Sequence, residues 1–65
     1  MNVLGAVKRM TQGIAMRRED WAPRWYAVVE GDEPIVFMDV GEDGYPVEGG
    51  LDSKDILAVD WVKFK

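Results

Sequence analysis

The 65-residue chain contains no cysteine and no histidine. Without cysteine it can form no disulfide framework, and without either residue type the usual ligands of a structural zinc site are missing. Ser53 and Thr11 are its single serine and its single threonine, and neither has a paired base positioned to activate a hydroxyl nucleophile. We therefore expect a protein that is not an enzyme and that carries no metal and no cofactor.

Long apolar runs are absent as well, and no basic segment is followed by an apolar stretch near the N-terminus. This pattern predicts neither a membrane-spanning helix nor a signal peptide, so we expect a cytoplasmic protein with no membrane partner. Glycine patterns of the phosphate-loop type are also absent, since the glycines lack the required spacing and a following Lys-Ser or Lys-Thr pair.

Basic residues are the minority, and the net charge of −4 argues against binding to a nucleic-acid polymer. They are unevenly distributed: up to Arg24 there are five basic and two acidic residues, and beyond it three basic and ten acidic ones. The basic first third could hold a small anion. Alternatively, the two halves form a dipolar surface that helps subunits meet.

A chain of this length forms one domain, residues 1–65, and buries only about 60% of the surface that its unfolded form exposes. Its core is therefore thin, and disulfides or metal cannot supplement it. We expect association with further copies, as a dimer or a tetramer.

The first element is predicted to be a short amphipathic helix. Asn2 is a suitable cap, and Gly13 can close the C-terminal end. Spacings of three and four residues place one set of apolar side chains on one face: Val3, Ala6, Val7 and Met10.

Alternating and β-branched segments predict strands in the rest of the chain. They are Ile14 to Arg18, Arg24 to Glu30, Ile35 to Val40, a short edge strand at Tyr45 to Val47, and Trp61 to Lys65. Asp52 should cap a second short helix before the last strand, in which Val62 and Phe64 are expected to face the core. The predicted fold is α+β, with an N-terminal helix, an antiparallel sheet of three to four strands, a short helix and a closing strand. Helices on one face would leave the other free for a partner.

Two neighbouring residues are the first candidates for binding. Arg18 continues an apolar strand face, so it requires a carboxylate, a bound anion or open solvent. Trp21 lies in a predicted loop beside Arg17 and Arg18, where its ring needs a groove of its own subunit, another subunit or a ligand to cover it. Trp61 is assigned either to an interface or pocket or to the core, whereas the acidic cluster of Asp39, Glu42 and Asp43 is interpreted as a solvated turn.

Motifs at both ends of the chain resemble a family of small phage proteins, the Thoeris anti-defence sponges. The ending Asp55-Ile56-Leu57-Ala58-Val59-Asp60-Trp61 is similar to that of the family. The matching N-terminal positions are Ala6-Val7, Met10, Gly13, Met16, Arg18 and Trp21, and the segments Met38-Asp39 and Glu42 to Val47 look alike as well. Two features differ: the region between Trp21 and Met38 is shorter, and Val47-Glu48-Gly49 stands where the family has Val-Pro-Trp.

This resemblance implies a homo-oligomer in the bacterial host cytoplasm that holds a cyclic nucleotide or cyclic ADP-ribose isomer without cleaving it. By position, the implied ligand-binding residues are Arg18, Trp21, Asp55, Asp60 and Trp61, and Arg17 is added on its chemistry. Arg18 would face phosphate or ribose oxygens, and Trp21 or Trp61 would stack on a base. The alternative function is an acidic inhibitor that binds a host protein through its negative surface and exposed aromatic residues.

Overall fold

The computed structural model describes residues 1–39, 44–47 and 50–64, which form a five-stranded antiparallel sheet and two helices. In chain order the elements are α1 (Val3–Met10), β1 (Met16–Arg18), β2 (Trp25–Glu30), β3 (Glu33–Asp39), β4 (Gly44–Pro46), α2 (Ser53–Leu57) and β5 (Trp61–Lys63). The strands lie in the order β4-β3-β2-β1-β5. The predicted α+β fold is thus confirmed. Neither α1 nor α2 has the length or apolar character needed to cross a membrane, in the part of the chain that the structure describes.

Helix α1 forms as predicted. The Asn2 side chain accepts a hydrogen bond from the Gly5 amide at 3.0 Å, which satisfies one of the free donors of the first turn. Gly13 follows the helix with φ of 86°, a conformation that a β-carbon disfavours. The buried face of α1 consists of Ala6 and Met10.

Strands β2 and β3 form the predicted hairpin, paired from Trp25 opposite Met38 to Glu30 opposite Glu33. The turn is shorter than the sequence indicates, because Pro34 belongs to β3 rather than to the turn. Strand β4 pairs with β3 only from Phe37 onward, so β2 is the one described strand beside Pro34. Proline has no backbone N–H to donate, and this position does not need a hydrogen bond to a second strand. Val40, at the predicted end of this strand, lies outside the described residues.

Strand β5 pairs with β1 and corrects the predicted core. Trp61 lies opposite Arg18 and Lys63 opposite the buried Met16, which places Trp61 on the helix side of the sheet. Trp61 is fully buried there, whereas Val62 and Phe64 point to the other face. The alternation of β5 predicts its two faces correctly, but the prediction that Val62 and Phe64 face the core is wrong.

The two faces of the sheet differ in what covers them. The buried core lies between the sheet and the helices and contains Ala6, Met10, Met16, Ala27, Val36 and Trp61. The opposite face carries aromatic rings that pack on one another, with Tyr26 5.7 Å from Phe37 and 4.7 Å from Phe64. Neither α1 nor α2 covers this second face, as the sequence predicts.

Candidate functional site

Arg18, at the end of β1, forms the centre of an ion-pair cluster that joins β1 to the segment around α2. Its Nε donates to Asp60 Oδ1 at 2.8 Å, and its Nη1 donates to Asp55 Oδ1 at 2.8 Å. Its side chain is only 15% exposed. Of the three environments that the sequence allowed for Arg18, the structure therefore shows carboxylate partners.

These contacts shift the pKa of all three groups toward the charged form. The hydrogen bond to Asp60 has the largest effect on the pKa of Arg18, followed by the bond to Asp55, and both raise it above its ordinary value. Burial alone would raise the pKa of Asp55, but hydrogen bonds from Arg18, Asp52 and Trp21 together lower it. The hydrogen bond from Arg18 lowers the pKa of Asp60. The cluster is therefore fully ionised at neutral pH.

Asp55 is the one buried charged residue among the described positions and connects several elements. Its Oδ2 accepts from the Asp52 amide at 3.1 Å, and Asp52 in return accepts from the Asp55 amide at 3.0 Å, which together make a capping box for α2. Its Oδ1 also accepts from Trp21 Nε1 at 3.1 Å. Asp55 consequently fixes both the start of α2 and the orientation of the Trp21 ring.

The tryptophans differ in how accessible their rings are to a ligand. Trp61 is fully buried, and its Nε1 donates to the Asp55 carbonyl at 3.0 Å. Trp61 packs in the core, so its ring is not accessible to a base in this structure. Trp21 is partly buried, packed edge-on against Trp61 with ring centres 5.1 Å apart and against Trp25 at 6.4 Å. Of the two candidates for stacking, Trp21 is the accessible one.

An open cavity of about 420 Å³ lies beside this cluster. It is lined by Arg18, Asp20, Trp21, Trp25, Val47, Gly50, Asp52, Lys54 and Asp55. A second cavity of about 380 Å³, lined by the apolar or aromatic residues Trp25, Met38, Tyr45, Pro46 and Val47, adjoins it at Trp25 and Val47. The structure thus brings a cation, an indole and carboxylates together at one opening, next to a largely apolar extension.

Arg17 does not line this cavity, and its predicted role in ligand binding, based on its chemistry, stays a prediction. Because side chains alternate along a strand, Arg17 points away from the face that carries Arg18. Its Nη2 donates to the Trp21 carbonyl at 2.8 Å, whereas its buried Nε has no hydrogen-bond partner. In this structure Arg17 holds the loop that carries Trp21.

Asp60 holds residues around the site in position through several hydrogen bonds. Besides its bonds to Arg18, its Oδ2 accepts from the Asp20 amide at 3.3 Å, and its carbonyl accepts from the Glu19 amide at 3.1 Å. Asp60 therefore anchors the Arg18–Trp21 turn and does not line the cavity.

Sequence reasoning missed Trp25 and Lys54 as lining residues. Trp25 alternates in a strand, which is a pattern typical of core packing, and Lys54 is an exposed residue of a helical first turn. Only the crossover that brings α2 back beside β1 places Lys54 near Arg18. The alternation of β2 does assign Trp25 and Ala27 to one face, and this was the available signal.

The side chains that line the cavity are carboxylate, cationic, aromatic and apolar. Its lining, within the described residues, has no hydroxyl, thiol or imidazole, and no cluster of acidic residues there could hold a metal ion. Asp39 ends β3, while its predicted turn partners Glu42 and Asp43 lie outside the described residues.

Comparison of the chain with family models, with curated proteins and with solved structures gives no match. The geometry of the site must therefore carry the functional argument.

Proposed function

We propose that this protein binds a cyclic nucleotide or a cyclic ADP-ribose isomer in the cavity beside Arg18 and sequesters it without cleaving it. The observation that carries the proposal is the convergence of an accessible indole, two cations and several carboxylates on one opening of about 420 Å³. Pockets for small ligands are typically about 300–1,000 Å³ and combine apolar walls with a few placed polar groups.

Each chemical part of such a ligand has a matching group. The partly buried indoles of Trp21 and Trp25 offer apolar surface to a base. Lys54, exposed at the rim, offers ammonium donors to a phosphate oxygen. The exposed carboxylate of Asp52 can accept hydrogen bonds from ribose hydroxyls.

The charge of the lining limits the ligand class. Three carboxylates and two cations line the cavity, so it is slightly acidic, which disfavours a chain of phosphates. Arg18 nevertheless keeps one weakly engaged nitrogen, since its Nη2 has only a 3.5 Å contact with Asp60 and a 3.9 Å contact with Asp20. The side chain of Asp20 is 81% exposed and can move away when an anion arrives. A compact ligand rich in hydroxyls with one or two phosphates fits this balance.

The resemblance to the phage sponges supports the biological part of the proposal, an anti-defence role in a bacterial host. Such a protein removes an immune signal by mass action and needs no turnover, which is compatible with a cavity lined by binding groups.

Calorimetric titration with a panel of cyclic nucleotides and cyclic ADP-ribose isomers tests the binding. We expect one class of compound to bind and to be recovered chemically unaltered after the protein is denatured. Lys54→Ala should weaken binding at least tenfold, whereas the matched exposed lysine variant Lys8→Ala, on α1, should leave it unchanged. No binding across the panel, together with one salt-sensitive host protein retained from lysate, would favour the acidic inhibitor instead. Recovery of a cleaved compound would contradict sequestration.

A further inference from the structure

The second cavity, of about 380 Å³, differs in character from the cavity beside Arg18 that it adjoins. We name it the β4 cavity, because its lining includes Tyr45 and Pro46 of that strand. The ionised side chains of the two linings all belong to the cavity beside Arg18, and the described residues that line the β4 cavity carry no charge. Trp25 and Val47 border both cavities, so the charged and the uncharged space adjoin.

One wall of the β4 cavity follows from the pairing of three strands. Trp25 of β2 lies opposite Met38 of β3, and Met38 lies opposite Tyr45 of β4. Residues directly opposite one another place their side chains on the same face, so these three form a row across the sheet. Because neighbouring strands are about 4.8 Å apart, the row is a strip about 10 Å long. The strip presents two aromatic rings and a thioether, which are groups that pack well on a planar ring.

This row continues the core face of the sheet but is less covered than the core. Ala27 follows Trp25 at an interval of two residues and is buried in the core. Val36 precedes Met38 at the same interval and is buried as well. Trp25 and Met38 are only partly buried, however, and Tyr45 is 61% exposed. The row therefore offers apolar surface that a ligand can reach.

We infer that the β4 cavity receives the base of the ligand, while the cavity beside Arg18 receives its sugar and phosphate groups. The inference rests on the proposed function and adds to it the position of the base. An ionised group would lose its hydration in the β4 cavity without gaining a charged partner from the described lining, so the occupant is uncharged. A planar heteroaromatic ring packs on the strip, and the Tyr45 hydroxyl, which is both a donor and an acceptor, suits a ring nitrogen.

Trp25 connects the two parts of the site and so defines the class of ligand. Its ring centre lies 6.4 Å from that of Trp21, which lines the cavity beside Arg18, and its strand neighbour Met38 lines the β4 cavity. A sugar bonded to a base in the β4 cavity therefore lies beside the charged groups. A compound that joins one uncharged heteroaromatic ring to a sugar phosphate occupies both cavities, whereas a sugar phosphate without a base occupies only one.

Methionine methyl signals test the position of the base in the full chain without any substitution. The chain has four methionines, of which Met38 lines the β4 cavity and Met10 and Met16 are buried in the core. Met1 is 42% exposed and does not line either cavity, so it serves as the exposed control. In protein labelled with ¹³C-methyl methionine, adenosine should shift the Met38 signal and leave the other three unchanged. Ribose 5-phosphate, which has no base, should shift none of the four.

Substitutions test whether the two cavities act as separate subsites. Tyr45→Ala should weaken adenosine binding about tenfold, the usual effect of removing an aromatic side chain that stacks on a base, and leave ribose 5-phosphate binding unchanged. Lys54→Ala should do the reverse. Leu4→Ala, at a 76% exposed residue of α1 that does not line either cavity, is the matched control and should change neither. Equal effects of Tyr45→Ala on the two probes overturn the inference, as does adenosine at millimolar concentration that leaves Met38 unshifted.

Calorimetric titration with the cyclic compounds separates failure of this inference from failure of the proposed function. A cyclic compound that binds without shifting the Met38 signal overturns the position of the base and leaves sequestration intact. A shift of Met38 by adenosine, with no cyclic compound bound, supports the base subsite and contradicts sequestration of a cyclic signal.

Discussion

At the residue scale, Arg18 determines the character of the site. A guanidinium on an otherwise apolar strand face is costly to bury, and here two carboxylates from a distant part of the chain compensate for that cost. The resulting cluster has a structural role in the free protein and exposes only part of its hydrogen-bonding capacity to a ligand. If the proposed ligand binds here, the same side chain connects stability with binding.

Arg18→Met should lower the free energy of unfolding, because it leaves Asp55 and Asp60 close together without a cation. Arg18→Lys retains the charge but loses the planar fork, so it should cost about half as much. Thermal and urea unfolding measure both variants. A Met variant as stable as the wild type would show that the cluster does not contribute to stability.

At the element scale, α2 is short but strongly specified at its N-terminus. Its capping box uses Asp52 and Asp55, and Asp55 also holds Arg18 and Trp21 from the same carboxylate. Because Asp55, Arg18 and Trp21 line the cavity, the position of the start of α2 determines the position of this part of the cavity wall. This coupling explains why five helical residues can position a site.

Asp52→Ala should destabilise the protein by about 1 kcal/mol, the usual cost of losing a helix cap. Exposed Ser53, the first residue of α2, provides the matched control, and Ser53→Ala should change stability little. For a domain of this size the first change corresponds to a fall in melting temperature of roughly 4–8 °C. Equal melting temperatures for the two variants would argue against a structural role of the capping box.

At the scale of the whole molecule, the ion-pair cluster of Arg18, Asp55 and Asp60 joins the last part of the chain to the rest of the sheet. The chain crosses from edge strand β4 to the opposite edge at β5, and the bonds of Arg18 to Asp55 and Asp60 join that returning segment to β1. Because both carboxylates have pKa values below their ordinary 3.8, their contribution to stability depends on pH.

Stability should remain nearly constant above the ordinary carboxyl pKa of 3.8 and fall as the pH decreases through the lower folded-state pKa values of Asp55 and Asp60. In that window the unfolded chain binds more protons than the folded one, so acid favours unfolding. Melting temperature as a function of pH measures the effect. The double variant Asp55→Asn, Asp60→Asn should give a flatter curve, and an equally steep curve would assign the acid sensitivity to other groups.

Local patterns in the sequence predicted the elements well because their causes are local. The cap at Asn2, the apolar spacing in α1 and the capping box at Asp52 were recognisable without tertiary information. The face of β5 was not, because alternation identifies two faces without showing which one the helices cover. Pairing of Trp61 with Arg18 decides this, and it is a contact between residues far apart in the chain.

The sequence by itself determined the α+β class, the main helix and strand segments and the need of Arg18 for a partner, since these follow from periodicity, capping chemistry and the cost of burying a charge. Only the tertiary structure decided that Asp55 and Asp60 are that partner, that Trp61 is core and that Arg17 points away from the cavity. It also decided that Trp25 and Lys54 share a cavity with Trp21. These outcomes depend on the crossover between the sheet edges, which brings together side chains that no local pattern relates.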